Sequence, residues 1–259
     1  MTRTPARGLP PVGVLGALQL LTRIPVRSSA APELRRCVPW FPVIGAVIGA
    51  AVGGVAVVML ELVPPSVAAA VAVVFGVALT GAFHEDGLAD TADALGGWTQ
   101  AQRQAILKDS RHGTYGVAAL CSSIVLRIVC VAALGPAVAF GGLIAAHTLA
   151  RGAAVGVMGI ARPVAATGLG ADYSRGLSGR ATGIGVIVAV LLAAVAVGWW
   201  VAPLAAVAAT SAILVAVLAN RAFGGVSGDV LGAVEQVAEC LALVTVSGLA
   251  LHHSVWWAA

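Results

Sequence analysis

The chain has 259 residues, of which 59% are hydrophobic and only 10% are charged, and its formal net charge is +4. Soluble globular proteins carry about 25% charged residues and disordered chains carry few apolar ones, so both classes are excluded. The 32 glycines and the aromatic content of only 5% favour closely packed transmembrane helices over an aromatic-rich outer-membrane barrel. The sequence therefore predicts an all-α integral membrane protein that forms one transmembrane domain over residues 1–259.

In chain order, the first apolar segment covers residues 13–22. It is too short to span a bilayer and is expected to form an amphipathic helix in the membrane interface. Further segments approach the roughly 20 apolar residues that a bilayer core requires, and turn-forming prolines separate several of them. The expected fold is a polytopic bundle of about seven transmembrane helices, at about 40–62, 66–83, 115–134, 137–160, 183–201, 203–219 and 229–251.

The lysine and arginine residues predict the orientation of this bundle. Of the 15 such residues, Arg127 and Arg151 lie inside predicted spans, and the other thirteen fall on one side of the membrane. Positively charged loops stay in the cytoplasm. We therefore expect a multi-pass protein of the cytoplasmic (plasma) membrane, with the N-terminus and the polar loops in the cytoplasm and the C-terminus outside.

The segment 84–93 holds four of the eleven acidic residues. Asp86, Asp90 and Asp93 share one face of a helix, whereas Glu85 points elsewhere. Because three like charges on one face repel each other, a cation is expected between them. Mg²⁺ prefers carboxylate oxygens, so the spacing predicts a Mg²⁺ site. A solvated acidic face is the alternative.

A second polar segment, residues 108–116, contains the only lysine of the chain. Its cations, hydroxyls and glycines are typical of an anion-binding loop, and it precedes a span whose helix dipole favours anions. The alternative is a positive charge that only fixes the topology. The residues in question are Lys108, Asp109, Ser110, Arg111, Gly113 and Gly116.

Three more acids lie in the last span. Asp229 follows a Ser-Gly turn, where a ligand-binding role and a helix-capping role are equally compatible with the sequence. Glu235 and Glu239 lie inside the span, and Arg127 or Arg151 are their candidate partners. Structural pairing between helices explains these two glutamates at least as well as a functional role.

The acidic face and the anion loop together indicate phosphoryl transfer at the membrane.

These motifs resemble cobalamin synthase, the adenosylcobinamide-GDP ribazoletransferase family. The resemblance covers nearly the whole chain in the same order. It departs from the family pattern at Ala94, where a glycine is common, and before Gly168, where an aromatic-Ala-Arg sequence is missing. It rests on LTRIPV at 21–26, GAFHEDGLADTAD at 81–93, KDSRHG at 108–113 and GGVSGDVLG at 224–232.

The resemblance implies a transferase that joins adenosylcobinamide-GDP to α-ribazole, or to its 5′-phosphate, with release of GMP and with Mg²⁺ as cofactor. Asp86, Asp90 and Asp93 would hold the metal. Lys108 and Arg111 would hold phosphate, and His84 or one acid of the face would accept the hydroxyl proton. The further substrate-binding residues would be Arg23, Asp109, Ser110, Gly113, Gly116 and Asp229.

Two other functions stay open at the level of sequence. A CDP-alcohol phosphotransferase would carry Asp-Gly-x-x-Ala-Arg, which Asp86-Gly87 does not begin here. An ion-coupled transporter would place its acids near the bilayer midplane.

No nucleic-acid partner is expected, because basic runs with interleaved aromatic residues do not occur. The expected partners are the corrinoid-GDP and α-ribazole substrates and the lipid bilayer, and a homo-oligomer is compatible with the sequence.

Overall fold

The computed structural model describes residues 13–26, 33–109, 111–164 and 177–257. Within these ranges the regular structure is helical, apart from one isolated bridge between Pro163 and Val226, so the all-α prediction is confirmed. The helices are α1 Gly13–Leu21, α2 Leu34–Cys37, α3 Phe41–Leu60, α4 Pro65–Thr80, α5 Phe83–Leu95, α6 Gln100–Ile106, α7 Thr114–Ala132, α8 Pro136–Ile160, α9 Gly179–Val197, α10 Val201–Phe223 and α11 Gly228–Ala250.

Each predicted span corresponds to one of the described helices, but the second span differs from the prediction. In the described ranges, five segments are long and apolar enough to cross a membrane, or six if α4 and α5 count together as one bent crossing. The 16 residues of α4 make a helix of about 24 Å, which is shorter than the roughly 30 Å of a bilayer core. The predicted span 66–83 is therefore interrupted, and α5 leaves α4 at an angle of 89°.

The longest apolar segment, Gly179–Phe223, has 45 residues and contains two antiparallel helices. The break between α9 and α10 lies at Gly198, whose φ of +62° is left-handed. Thr182 near the start of α9 packs against Gly159 at the end of α8. Gly225, which follows α10, packs against Arg162, which follows α8. Since α9 begins and α10 ends at the same end of α8, the segment folds back on itself, and its two helices correspond to the two spans predicted there.

Helices α8 and α11 form the centre of the bundle. In each of them 72% of the most apolar window is buried, against 28% to 39% in the other candidate spans. Glycines allow close packing here: a Cβ atom on Gly45 or Gly49 of α3 would lie 2.6 Å from a backbone oxygen of α8. Such small-residue contacts are how membrane helices approach each other closely.

The bend between α4 and α5 positions the acidic helix. Gly81 and Ala82 both have left-handed backbone angles, with φ of +68° and +58°. Beyond the bend, α5 crosses the beginning of α11, where a Cβ atom on Gly87 would lie 2.6 Å from the backbone oxygen of Asp229. The acidic segment is therefore fixed against the end of the most buried helix pair.

Candidate active site

The first turns of α5 separate its acids into two environments. Asp86 lies on the outer face with its side chain 64% exposed, and Asp90 lies one turn further with its side chain 17% exposed. Glu85 is buried, as expected from its different angular position. Asp86 and Asp90, two of the three aspartates predicted to share a face, therefore lie apart from Glu85.

His112 completes this group, and the sequence analysis gave it no role. Its Nε2 lies 3.8 Å from Oδ1 of Asp86, and its Nδ1 lies 3.5 Å from Oδ1 of Asp90. One potential ligand atom from each of the three residues lies within 4.8 Å of the others. Among the described residues, no lysine or arginine forms an ion pair with Asp86 or Asp90. We call Asp86, Asp90 and His112 the acidic site.

Asp93 has a different environment from the one predicted for it. Its Oδ2 accepts the N–H of Gly113 at 2.6 Å and its Oδ1 accepts the N–H of Gly116 at 2.8 Å. These amides belong to the start of α7, where N–H groups lack partners within the helix. Asp93 thus caps α7 and holds the loop before it, while the group of potential ligand atoms on this face is formed by Asp86, Asp90 and His112.

The glycines of the predicted anion loop serve this contact. A Cβ atom on Gly116 would collide with the carboxylate of Asp93, and one on Gly113 would lie 2.7 Å from it. Both positions therefore require glycine for close approach to the carboxylate. The structure gives Gly113 and Gly116 a positioning contact at the two places where the sequence predicted substrate binding.

The cations of the loop differ in availability. Nη2 of Arg111 donates to Oδ2 of Asp109 at 2.6 Å, and this guanidinium lowers the pKa of the Asp109 carboxyl from 3.8 to about 2. Lys108 is exposed and forms no ion pair with a described residue. Ser110, also predicted to bind substrate, lies outside the described residues. An open cavity of about 330 Å³ lies beside the loop and is lined by Asp93, Asp109, Arg111 and Tyr115, among others.

At the start of α11, the cap is Ser227. Its Oγ accepts the N–H of Val230 at 3.3 Å and donates to Oδ2 of Asp229 at the same distance. The capping role considered for Asp229 therefore belongs to Ser227. Asp229 lines a second cavity together with Asp86 and His84, which brings three predicted site residues together.

His84 lines this cavity, whereas Arg23 contacts the bend that precedes α5. His84 is 6% exposed, and its Nδ1 lies 3.6 Å from Oε2 of Glu235. Arg23 contacts the bend before α5, where its Nη2 donates to the carbonyl oxygen of Gly81 at 3.4 Å. The sequence predicted substrate binding for Arg23, and the structure shows it supporting the backbone that leads into the acidic site.

Below the acidic site, a buried ion network links α5, α7, α8 and α11. Arg127 donates to Glu85 at 2.9 Å and to Glu239 at 3.2 Å. Arg151 lies 2.5 Å from Glu235. His147 Nδ1 lies 2.8 Å from Glu239 as well. The expected pairing of Glu235 and Glu239 with the two intramembrane arginines is confirmed.

Comparison with known proteins identifies the family. The family model for cobalamin-5-phosphate synthase matches residues 13–247. The chain is 39% identical over 248 residues to the adenosylcobinamide-GDP ribazoletransferase of Azorhizobium caulinodans, covering 89% of this chain and 93% of the relative. It is 38% identical over 255 residues to the enzyme of that name from Xanthobacter autotrophicus, covering 90% and 94%.

A third relative, the adenosylcobinamide-GDP ribazoletransferase of Ralstonia nicotianae, is 36% identical over 246 residues, which cover 88% of this chain and 91% of the relative. No solved structure matches the chain. The family model's match runs from the first described helix through most of α11, so it includes the acidic site, the loop of residues 108–116 and the buried ion network. The chain belongs to the cobalamin-5-phosphate synthase family.

Proposed function

We propose that this protein is a membrane-bound adenosylcobinamide-GDP ribazoletransferase that carries out the final assembly of the cobalamin nucleotide loop. A ribose hydroxyl of α-ribazole, or of its 5′-phosphate, attacks the cobinamide-linked phosphorus of adenosylcobinamide-GDP. The new phosphorus–oxygen bond replaces the bond to GMP, and GMP leaves. The observation that carries this proposal is the acidic site beside the loop of residues 108–116, in a chain 39% identical to a transferase of that name.

The acidic site fits a Mg²⁺ ion. The carboxylates of Asp86 and Asp90 lack a lysine or arginine partner among the described residues, and carboxylate oxygens are the ligands that Mg²⁺ prefers. Asp93 is the least available of the three predicted ligands, because each of its oxygens already accepts a backbone amide of α7. When bound, the ion would supply positive charge that neutralises the negative charge developing on the phosphate during transfer.

The remaining site residues divide the work of orientation and proton transfer. Lys108 is the loop cation available to a phosphate, because Arg111 already binds Asp109. Asp229 and His84 line the cavity that leads inward from Asp86. A ribose hydroxyl at the mouth of this cavity would lie next to His84, which, like a carboxylate of the acidic face, can accept its proton.

We also propose that the acidic site faces the cytoplasm. The topology predicted from the sequence puts the thirteen cationic residues outside the spans on the same side as α5 and the loop of residues 108–116, and the positive-inside rule assigns that side to the cytoplasm. Residues 251–257 lie at the other end of the bundle, where Trp257 Nε1 donates to the carbonyl oxygen of Ala196 at 2.9 Å. This end would face the outside.

A nucleotide-release assay tests the proposed activity. Purified protein in nanodiscs receives adenosylcobinamide-GDP and α-ribazole, with and without Mg²⁺. We expect one GMP per corrinoid product and no turnover in the presence of a chelator. Release of CMP from a CDP-alcohol with no GMP release would indicate the phosphotransferase alternative. Accumulation of unchanged labelled corrinoid in proteoliposomes would indicate transport, and either result would overturn the proposal.

A further inference from the structure

The imidazole of His112 lies over the face of α5 that carries Asp86 and Asp90. Its Nε2 is 3.8 Å from Oδ1 of Asp86, and its Nδ1 is 3.5 Å from Oδ1 of Asp90. A charged N–H bound to a carboxylate lies about 2.7–2.9 Å from the oxygen, so neither separation is that of a normal hydrogen bond. Two ligand atoms of one small divalent ion are about 3 Å apart at right angles and about 4.2 Å apart on opposite sides. Both separations therefore fall in the range that one ion can bridge.

The backbone on each side of His112 is held by a carboxylate. The N–H of Arg111 donates to Oδ1 of Asp109 at 3.1 Å, and the N–H of Gly113 donates to Oδ2 of Asp93 at 2.6 Å. The position of His112 is thus set by contacts of its neighbours and not by contacts of its own ring. The loop presents the imidazole to the acidic face as a preplaced donor.

The described residues contain a second group with the same kinds of ligand atom, formed by His147, Glu235 and Glu239. Arginines already supply the positive charge there: Arg151 lies 2.5 Å from Glu235, and Arg127 donates to Glu239 at 3.2 Å. No described lysine or arginine pairs with the two carboxylates of the acidic site. Of the two groups, the acidic site is therefore the one whose donors are available to a metal ion.

A set of two carboxylates and one imidazole differs in its metal preference from a set of carboxylates alone. Mg²⁺ takes oxygen ligands and keeps several waters. First-row transition ions accept both oxygen and imidazole nitrogen, and a nitrogen ligand raises their affinity more than that of Mg²⁺. A nitrogen ligand at this site should therefore favour a transition ion.

We propose that His112 binds the metal ion of the acidic site through an imidazole nitrogen, together with Asp86 and Asp90, and that the site binds Mn²⁺ more tightly than Mg²⁺ for this reason. This inference rests on the proposed function, which assigns a divalent ion to these carboxylates. Mg²⁺ still binds through the two carboxylates and still supports the reaction.

A spectroscopic experiment tests the ligand assignment without any turnover. The full-length protein in nanodiscs receives Mn²⁺ alone, and electron spin-echo measurements detect nitrogen nuclei bonded to the ion. We expect a nitrogen modulation in wild type that is lost in His112→Ala and in His112→Gln. His252 is an exposed histidine beyond α11, and His252→Ala should retain the modulation as a matched control.

Metal affinities measured on the same preparations test the preference. In His112→Ala, the Kd of Mn²⁺ should rise at least about tenfold, a loss that is typical even of residues that only orient metal ligands. The Kd of Mg²⁺ should change less than about threefold, because its oxygen ligands remain. An equal loss of affinity for both ions would show that His112 shapes the loop and is not a ligand.

The other outcomes also decide the question. Bound Mn²⁺ without nitrogen modulation in wild type, or no bound Mn²⁺ at all, would overturn the assignment. A modulation that persists in His112→Ala but disappears in His147→Ala would place the ion in the buried group and would also overturn it. Absence of GMP release from a wild-type protein that shows the expected signal would overturn the proposed function and leave the ligand assignment in place.

Discussion

Two neighbouring residues of α5, Glu85 and Asp86, show how the protein treats charge in two regions. Glu85 is 3% exposed, and Arg127 donates to it at 2.9 Å. Asp86 has a side chain 64% exposed, and Nε2 of His112 lies 3.8 Å from its Oδ1. Consecutive residues of a helix point about 100° apart, so one step along the chain moves a carboxylate from the bundle interior to its surface.

The buried charges hold the helices together, whereas the charges of the acidic site are available to a ligand. The interior acids each have a cationic partner on another helix, so the network crosslinks α5, α7, α8 and α11. Ionisable groups inside a membrane are costly unless they are paired. At the acidic site, by contrast, the described chain supplies no arginine or lysine partner, and we propose that a Mg²⁺ ion from solution binds there.

The largest effect is expected inside the bundle, from Arg127→Met. This change leaves Glu85 and Glu239 without their shared partner, and removal of one member of a buried ion pair costs about 3–5 kcal/mol. Thermal unfolding in detergent should show this loss of stability. In the double variant Arg127→Met/Glu85→Gln, part of the stability should return. A singly substituted protein as stable as wild type would show that the network does not hold the fold.

The next largest effect is expected at the surface, from Asp86→Asn and Asp90→Asn. We expect kcat to fall by about a hundredfold or more, since metal-assisted charge stabilisation is worth several kcal/mol, while the unfolding temperature stays near that of wild type. Turnover and thermal unfolding are measured on the same preparations at saturating Mg²⁺. Wild-type turnover in either variant would remove that residue from the metal site.

A smaller effect is expected from Lys108→Ala. This exposed loop cation contacts no described acid, so its loss should not affect folding. A charge-assisted hydrogen bond to a phosphate contributes about 1.5–3 kcal/mol, and we expect kcat/KM for adenosylcobinamide-GDP to fall by roughly tenfold or more. Lys108→Arg should retain most of the activity. Unchanged kinetics in the alanine variant would reduce Lys108 to a topology signal.

Asp93→Ala sharpens the distinction between ligand and positioning residue. The loss of two hydrogen bonds to the start of α7 should lower the free energy of unfolding by about 1 kcal/mol, as for other helix caps. The concentration of Mg²⁺ that gives half-maximal activity should stay the same. A large increase in that concentration would restore Asp93 to the metal site, as the sequence predicted.

The smallest effect is expected from Asp109→Asn. Arg111 holds the pKa of Asp109 at about 2, below its ordinary value. The ion pair therefore contributes to the free energy of unfolding above about pH 4, and this contribution is lost only as the pH falls towards 2. Between about pH 5 and 9 the carboxyl stays ionised, and the pH–rate profiles of wild type and variant should have the same shape. A new ionisation in that range would contradict this assignment.

Much of the candidate site was predictable because its signals are local. The spacing of Asp86 and Asp90 fixes their shared face, and the intramembrane position of Glu239 implies a buried partner. His112 gave no such signal: it lies 22 residues after Asp90, and only the return of the chain from α6 to α7 brings the two together. Asp93 was assigned to the metal because helical spacing does not reveal backbone amides donated by another helix.

The sequence by itself determined that the chain lies in a lipid bilayer, that its regular structure is helical, and which class of reaction its polar residues indicate. Apolar runs longer than a bilayer core admit few structures other than helices, because backbone groups in lipid must be satisfied within the segment. The tertiary structure alone decided where the chain bends, at Gly81 and Ala82, and which of the aspartates remain available to a ligand. Those outcomes depend on contacts between α5, α7 and α11. Whether a carboxylate such as that of Asp93 accepts backbone amides or remains available to a cation is decided only when the helices pack.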